Sequence, residues 1–143
     1  MPPISRSTSA TPDQVFGVLS DPESYEHWVV GSRSIDRHEP GWPAPGTRFK
    51  HTQGIWPALI HDETEAVASD PPHRLELIVK ARPALVARVV LVLRPDGAGT
   101  HMTIEEQPVG GLAAPLLRTP PGKLLTQLRN RLSLRRLAKL AER

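Results

Sequence analysis

The sequence predicts an α+β fold, an antiparallel meander of short strands followed by one long C-terminal helix, and three observations carry the prediction. Between Gly31 and Gln107 apolar and polar residues alternate in short runs broken by turn residues. After Thr119 the spacing becomes helical and stays so for about twenty residues. Two helix starts stand near the N-terminus, each with a capping residue followed by proline.

The first start is Thr11-Pro12-Asp13-Gln14. Thr11 can cap the free backbone donors, Pro12 suits the first helical position, and Gln14 can reach back to complete a capping box. A short helix is expected to Leu19, burying Val15, Phe16, Val18 and Leu19. Asp21-Pro22-Glu23 opens a second short helix toward Trp28. Six strands are expected at residues 32–38, 47–53, 58–68, 74–81, 86–94 and 100–107, and residues 4–8 can add a seventh at an edge. Alternation assigns the faces: Leu75, Leu77, Val79 and Ala81 lie on one side and Glu76, Lys80 and Arg82 on the other. Ala87, Val89, Leu91 and Leu93 oppose Arg88 and Arg94 in the same way, and Met102 and Ile104 oppose His101 and Glu105. A loop rich in Leu and Pro then leads to Thr119-Pro120-Pro121, the cap of the long helix. That helix carries two apolar sides. Leu124, Leu125, Leu128 and Leu132 share one, and Leu134, Leu137, Ala138 and Ala141 share the other, which extends back through Asn130 and Gln127.

Composition narrows the function classes. A chain of 143 residues suits one domain. No apolar run approaches the roughly 20 residues that cross a bilayer, so no stable membrane insertion is expected. The opening MPPISRSTSA has no apolar stretch of the secretory kind, and a cytoplasmic location is expected. The absence of cysteine removes disulfides, thiolate nucleophiles and thiolate metal sites. The net charge of +3 comes mainly from the end of the chain, where seven Lys or Arg residues between Lys123 and Arg143 face one acid, Glu142. With no aromatic residue among them to stack on bases, they read as a basic helix surface and not as a nucleic-acid reader.

The order strand, two short helices, six-strand meander and long final helix resembles the SRPBCC superfamily of START-like carriers and polyketide cyclases/dehydrases. The resemblance rests on Ala10-Thr11-Pro12-Asp13-Gln14-Val15-Phe16, Leu19-Ser20-Asp21-Pro22-Glu23-Ser24-Tyr25 with Trp28, Pro45-Gly46-Thr47-Arg48-Phe49, Asp70-Pro71-Pro72-His73-Arg74-Leu75, Gly99-Thr100, Glu105-Glu106 and Ser133-Leu134-Arg135-Arg136-Leu137-Ala138. It implies a helix-grip fold, a curved sheet wrapped around the long helix, with a cavity between them for a small hydrophobic or aromatic molecule such as a lipid or a polyketide-like metabolite. Six large aromatics are too few to fill such a hollow. The opposite outcome, collapse of the leucine-rich helix onto the sheet to ordinary density, also follows from how interiors pack.

Within that fold the expected ligand wall comprises Trp28, Phe49, His51, Trp56, Asp62, Thr64, Leu77, Val79, Met102, Asn130 and Leu134. Trp56 is placed as a gate at a hairpin tip. Asp62 and Thr64 share the face of Ile60, so a carboxylate at the edge of an apolar pocket would have its pKa raised and serve as general acid or base, with His51 as the other proton carrier. Arg48 or Asn130 would then hold a developing enolate. The plainer reading leaves Asp62 and Glu63 solvated on an exposed strand. His51 and His61 fall opposite each other if their hairpin turns at Trp56, and Glu63 or His101 would complete a zinc site, but no ligand spacing fixes one, and neither metal nor cofactor is expected. Outward-facing Val90 and Val92 point to a partner surface or a dimer, and the chain is expected as a monomer or a homodimer. Three functions remain open: a carrier of a hydrophobic ligand, a cyclase/dehydrase-like enzyme using the same pocket, and an interaction module without a cavity.

Overall fold

The computed structural model describes residues 3–55 and 58–143, and Trp56 lies outside them. Seven strands form one antiparallel sheet: β1 (Ile4–Thr8), β2 (Ser32–His38), β3 (Arg48–Ile55), β4 (Ala58–Asp70), β5 (Arg74–Ala81), β6 (Leu85–Asp96) and β7 (Gly99–Gly110). Their order across the sheet is β1-β7-β6-β5-β4-β3-β2, a continuous meander from β2 to β7 with the N-terminal strand added beside the last one. The helices are α1 (Pro12–Leu19), α2 (Tyr25–Trp28), α3 (Ala114–Leu117) and α4 (Pro120–Ala141), with a single 3-10 turn at Pro22–Ser24 leading into α2. This is the helix-grip arrangement.

The local signals act as their chemistry requires. The Gln14 N–H donates to Thr11 Oγ1 at 3.2 Å while Gln14 Oε1 accepts from the Thr11 N–H at 2.8 Å, a closed capping box at the start of α1. Thr119 caps α4 through the Gly122 N–H at 3.4 Å. The hairpin between β6 and β7 closes at the Asp96↔Gly99 pair, with Gly97 at φ +59, a left-handed turn conformation that glycine adopts without steric cost. One element was not anticipated. The loop rich in Leu and Pro folds in part into the single-turn α3, which packs so tightly on the start of α4 that a Cβ on Gly122 would stand 2.2 Å from the Leu116 carbonyl oxygen.

The core sits between the sheet and the second half of α4. Leu134, Leu137, Ala138 and Ala141 are buried together with Val15, Phe16 and Leu19 of α1 and with Leu75, Leu91, Leu93 and Met102 of the sheet. Here the helix does collapse onto the sheet. The first half of α4 behaves differently: Thr126, Asn130 and Ser133 point inward, while Leu124, Leu125, Leu128 and Leu132 are exposed. On the outer sheet face Val90 and Val92 are half-buried, because their ladder neighbours Glu76, Glu105 and Arg74 are long charged side chains that cover them. Glu76 is itself held by Arg74 and Arg88, each at 2.9 Å, which keeps its carboxyl below the usual range.

Candidate functional site

Where polar residues replace leucine on the inner side of α4, the helix and sheet stand apart and enclose a cavity of about 400 Å³. Its sheet wall is built by alternate residues of five strands, with Asp62 alone left out of the series on β4: Phe49, His51 and Gln53 from β3, Ile60 and Thr64 from β4, Leu77 and Val79 from β5, Ala87 and Val89 from β6, Ile104 and Glu106 from β7. Tyr25 and Trp28 close one end, Ala113 and Leu117 the other, and Arg129, Asn130 and Ser133 form the helix wall. The volume lies within the roughly 300–1,000 Å³ usual for small-molecule sites. Small side chains at Ala81, Ala84 and Ala87 leave the space open. The hollow is not plugged by the protein's own side chains.

Aromatic residues are gathered at one end. Tyr25 lies 4.9 Å from both Trp28 and Phe49 between ring centroids, and Trp42 meets Tyr25 and Phe49 edge-on at 5.8 and 4.8 Å. Tyr25 Oη and Trp42 Nε1 both donate to the Leu19 carbonyl, at 2.7 and 3.0 Å, which anchors the cluster to the end of α1. Burial pushes the Tyr25 hydroxyl well above its ordinary pKa, so it stays a neutral donor. Trp42, in the proline-rich segment before β3, is thus a buried support of the aromatic end.

His51 is the most deeply buried polar residue among those described on the cavity wall. It is 1% exposed, its ring meets Phe49 edge-on at 5.9 Å, and neither ring nitrogen has a hydrogen-bond partner. Burial lowers its pKa, opposed by the nearby Glu63 backbone, which lies outside hydrogen-bonding geometry, and by the carboxylates of Asp62, Asp36 and Glu63. The Trp28 indole N–H is also buried without a partner. Among the described residues these three atoms are the only buried side-chain nitrogens or oxygens left unpaired, and both of their residues line the cavity.

Trp28, Phe49, His51, Thr64, Leu77, Val79 and Asn130 are therefore brought together around one cavity. Three other expected wall residues are not. Met102 and Leu134 are fully buried in the closed part of the core, where α4 rests on β1, β7 and α1, and so do not face the hollow. Asp62 requires a larger correction. It stands across from His51 in the ladder, but its carboxylate turns to Arg82, accepting from the backbone N–H at 2.8 Å and from Nε and Nη2 at 3.0 and 2.8 Å. Burial pushes its pKa up, but the Arg82 guanidinium and backbone and the Glu63 N–H at 2.9 Å outweigh it and hold the carboxyl at about 2, opposite to the raised value expected of a pocket acid. Arg48 is exposed on the outer face near Glu39 and Glu63, away from any enolate.

The histidine pairing also differs from the expectation. The ladder pairs His51 with Asp62 and Thr52 with His61, one residue out of the register that would juxtapose the two imidazoles. His61 is consequently on the outer face, where its Nδ1 lies 2.8 Å from Thr52 Oγ1, itself a donor to Asp36 at 2.8 Å. Among the described residues no group of three or more His, Asp or Glu gathers in a geometry that holds a metal ion.

Sequence reasoning missed Glu106 and Arg129. Glu106 is 6% exposed, lines the cavity from β7, and is bound by the Arg129 guanidinium from α4. The signal was present: the alternation that turns Met102 and Ile104 inward turns Glu106 inward as well. Ser133 was missed too, and its hydroxyl accepts the Val30 N–H at 3.1 Å, fastening α4 to the segment after α2.

Solved structures share this architecture at low sequence identity. A protein of Chromobacterium violaceum, CV1439, is 17% identical with a TM-score of 0.73 over 99% of this chain and 97% of its own. Ara h 8.0201 is 13% identical with a TM-score of 0.73 over 97% and 95%. StfQ, described as a di-domain ARO/CYC from the steffimycin biosynthetic pathway, is 16% identical with a TM-score of 0.72, aligning with all of this chain and 45% of its own. Among curated proteins there is no significant match. No helix among the described residues is long and apolar enough to cross a membrane. The sequence profile described as "Polyketide cyclase / dehydrase and lipid transport" matches residues 4–142, and with the helix-grip fold and its cavity this shows that the chain belongs to that family.

Proposed function

We propose that the protein binds a small, uncharged, hydrophobic or aromatic molecule bearing oxygen, of the lipid or polyketide-like kind, in the cavity between the sheet and α4, in the cytoplasm. The observation that carries this reading is the coincidence of an apolar hollow with the only unpaired buried polar side-chain atoms among the described residues. Aliphatic and aromatic walls supply affinity by removing guest surface from water, about 0.8 kcal/mol per buried methylene. A neutral imidazole offers one N–H and one lone pair, which suits a hydroxyl or enol, and the Trp28 N–H suits a carbonyl oxygen. An ionised guest is disfavoured because neutral His51 supplies no compensating charge and the Arg129 guanidinium on the helix wall is already paired with Glu106.

Two variants test it. Ala87→Trp fills the cavity from the β6 wall, and binding of the uncharged fluorophore N-phenyl-1-naphthylamine should weaken at least tenfold. Unchanged affinity in a folded Ala87→Trp protein would refute the cavity as the binding site. In His51→Phe, 1-naphthol should bind about fivefold more weakly while naphthalene is unaffected, since one neutral hydrogen bond contributes about 1 kcal/mol. Equal losses for both probes would remove His51 as a polar anchor.

A second reading is favoured by one feature, the unpaired neutral His51 beside the hollow. In a cyclase/dehydrase-like reaction its free nitrogen would take a proton from an enolisable carbon and return it to a departing hydroxyl as water. Asp62 has no part in that scheme, because its carboxylate is committed to Arg82.

A further inference from the structure

We propose that the outward face of α3 and α4 is a docking surface for anionic lipid bilayers. The two helices and the turn before α3 expose large aliphatic side chains: Leu112 in that turn is 80% exposed, Leu116 70%, Leu125 63%, Leu124 57% and Leu128 54%. Isolated exposed leucines are ordinary, but these are neighbours. Leu124, Leu128 and Leu132 follow one another at helical i, i+4 spacing, Leu125 lies beside them, and the close approach of Gly122 to α3 places Leu116 against the same end of the helix.

The ridge is unusual in its charge. Between Glu106 and Glu142 the chain contains no acidic residue and seven basic ones. The row that begins with Leu124, Leu128 and Leu132 continues through Arg136, and Arg135 and Lys139 fall on the same side, all three exposed. An apolar first half therefore runs into a cationic second half along one face. This is the chemistry of a helix lying in the bilayer interface, with aliphatic side chains at the level of the acyl chains and guanidinium and ammonium groups among the phosphates. A second copy of the chain fits less well. A twofold contact would set the same cations against themselves with no carboxylate on the face to pair them.

The position of the ridge is also informative. α3 carries Leu116 into the ridge and Leu117 into the cavity wall, so the face adjoins one end of the hollow. Docking is peripheral, since α4 is polar on its other side and buries Thr126, Asn130 and Ser133 against the protein.

The test is flotation with vesicles made of phosphatidylglycerol and phosphatidylcholine in equal parts, against vesicles of phosphatidylcholine alone. The wild-type protein should partition at least tenfold more strongly onto the anionic vesicles and be released by high salt. The pair Leu125→Glu/Leu128→Glu, and separately Arg135→Glu/Arg136→Glu, should each lower that partition at least tenfold. Both pairs lie on exposed surface, so their melting temperatures and N-phenyl-1-naphthylamine affinity in the cavity should match wild type, which separates loss of docking from loss of the pocket. Equal partition onto the two vesicle types, or variants that float as wild type does, would overturn the proposal. So would a wild-type dimer in sedimentation that Leu125→Glu/Leu128→Glu converts to monomer, because the ridge would then belong to a second copy.

Discussion

Arg129→Leu should lower stability by about 3 kcal/mol, seen as a fall in melting temperature of about 10 °C for a chain of this size. The cause is what the substitution leaves behind. Glu106 is 6% exposed and its carboxylate is bound by the Arg129 guanidinium, so removal of the cation leaves a carboxylate turned toward an apolar hollow with no partner. Arg129 itself is about one-third exposed, which screens the pair and places the cost at the lower end of the range for buried ion pairs. The double variant Arg129→Leu/Glu106→Leu should recover most of the loss, since two apolar residues of similar size remove the desolvated charge along with its partner. Thermal melts of the two single variants and the double variant give the coupling directly. Additive losses would mean that the pair contributes nothing as a pair.

Asp62→Asn should remove a stabilising contribution of about 1–2 kcal/mol at neutral pH, and the wild-type advantage should disappear in acid. The folded-state pKa is about 2 against an ordinary 3.8, because the Arg82 guanidinium and the backbone N–H groups of Arg82 and Glu63 outweigh the effect of burial. A depressed carboxyl binds its proton more readily in the unfolded chain. Its stabilisation is therefore complete above about pH 4 and is lost as pH falls through about 2, with the upper estimate reduced because Arg82 is exposed. Urea melts at a series of pH values should show the two proteins converging over that interval. Binding of N-phenyl-1-naphthylamine should be unchanged in the variant, because the carboxylate faces Arg82 and not the hollow. A binding loss without a stability loss would return Asp62 to the pocket.

Much of the architecture lies in local patterns. Thr11 and Gln14 close a box that needs nothing beyond four consecutive residues, and residues 32–38 and 74–81 form strands where alternation alone placed them. Local rules succeed here because capping geometry and the twofold strand period are set within a few residues of chain. The same period put His51, Thr64, Leu77 and Val79 on one face. It did not settle how far the β3–β4 hairpin is slipped, and a slip of one residue decides whether His61 meets His51 or Thr52.

What the sequence determined by itself, then, is the order of the strands and of the helices other than α3, the inward faces of β5, β6 and β7, the two-sided character of α4 and the lack of thiol chemistry. Tertiary structure alone decided where α4 closes on the sheet and where it stands away. Leu134 and Met102 thereby became core, while Asn130, Ser133 and Arg129 became wall. It also decided the fate of each inward charge, sending Asp62 to Arg82 and Glu106 to Arg129. The physical reason is that face and periodicity are properties of a single element, whereas depth, register and the choice of counter-ion depend on what a distant element brings within a few ångströms.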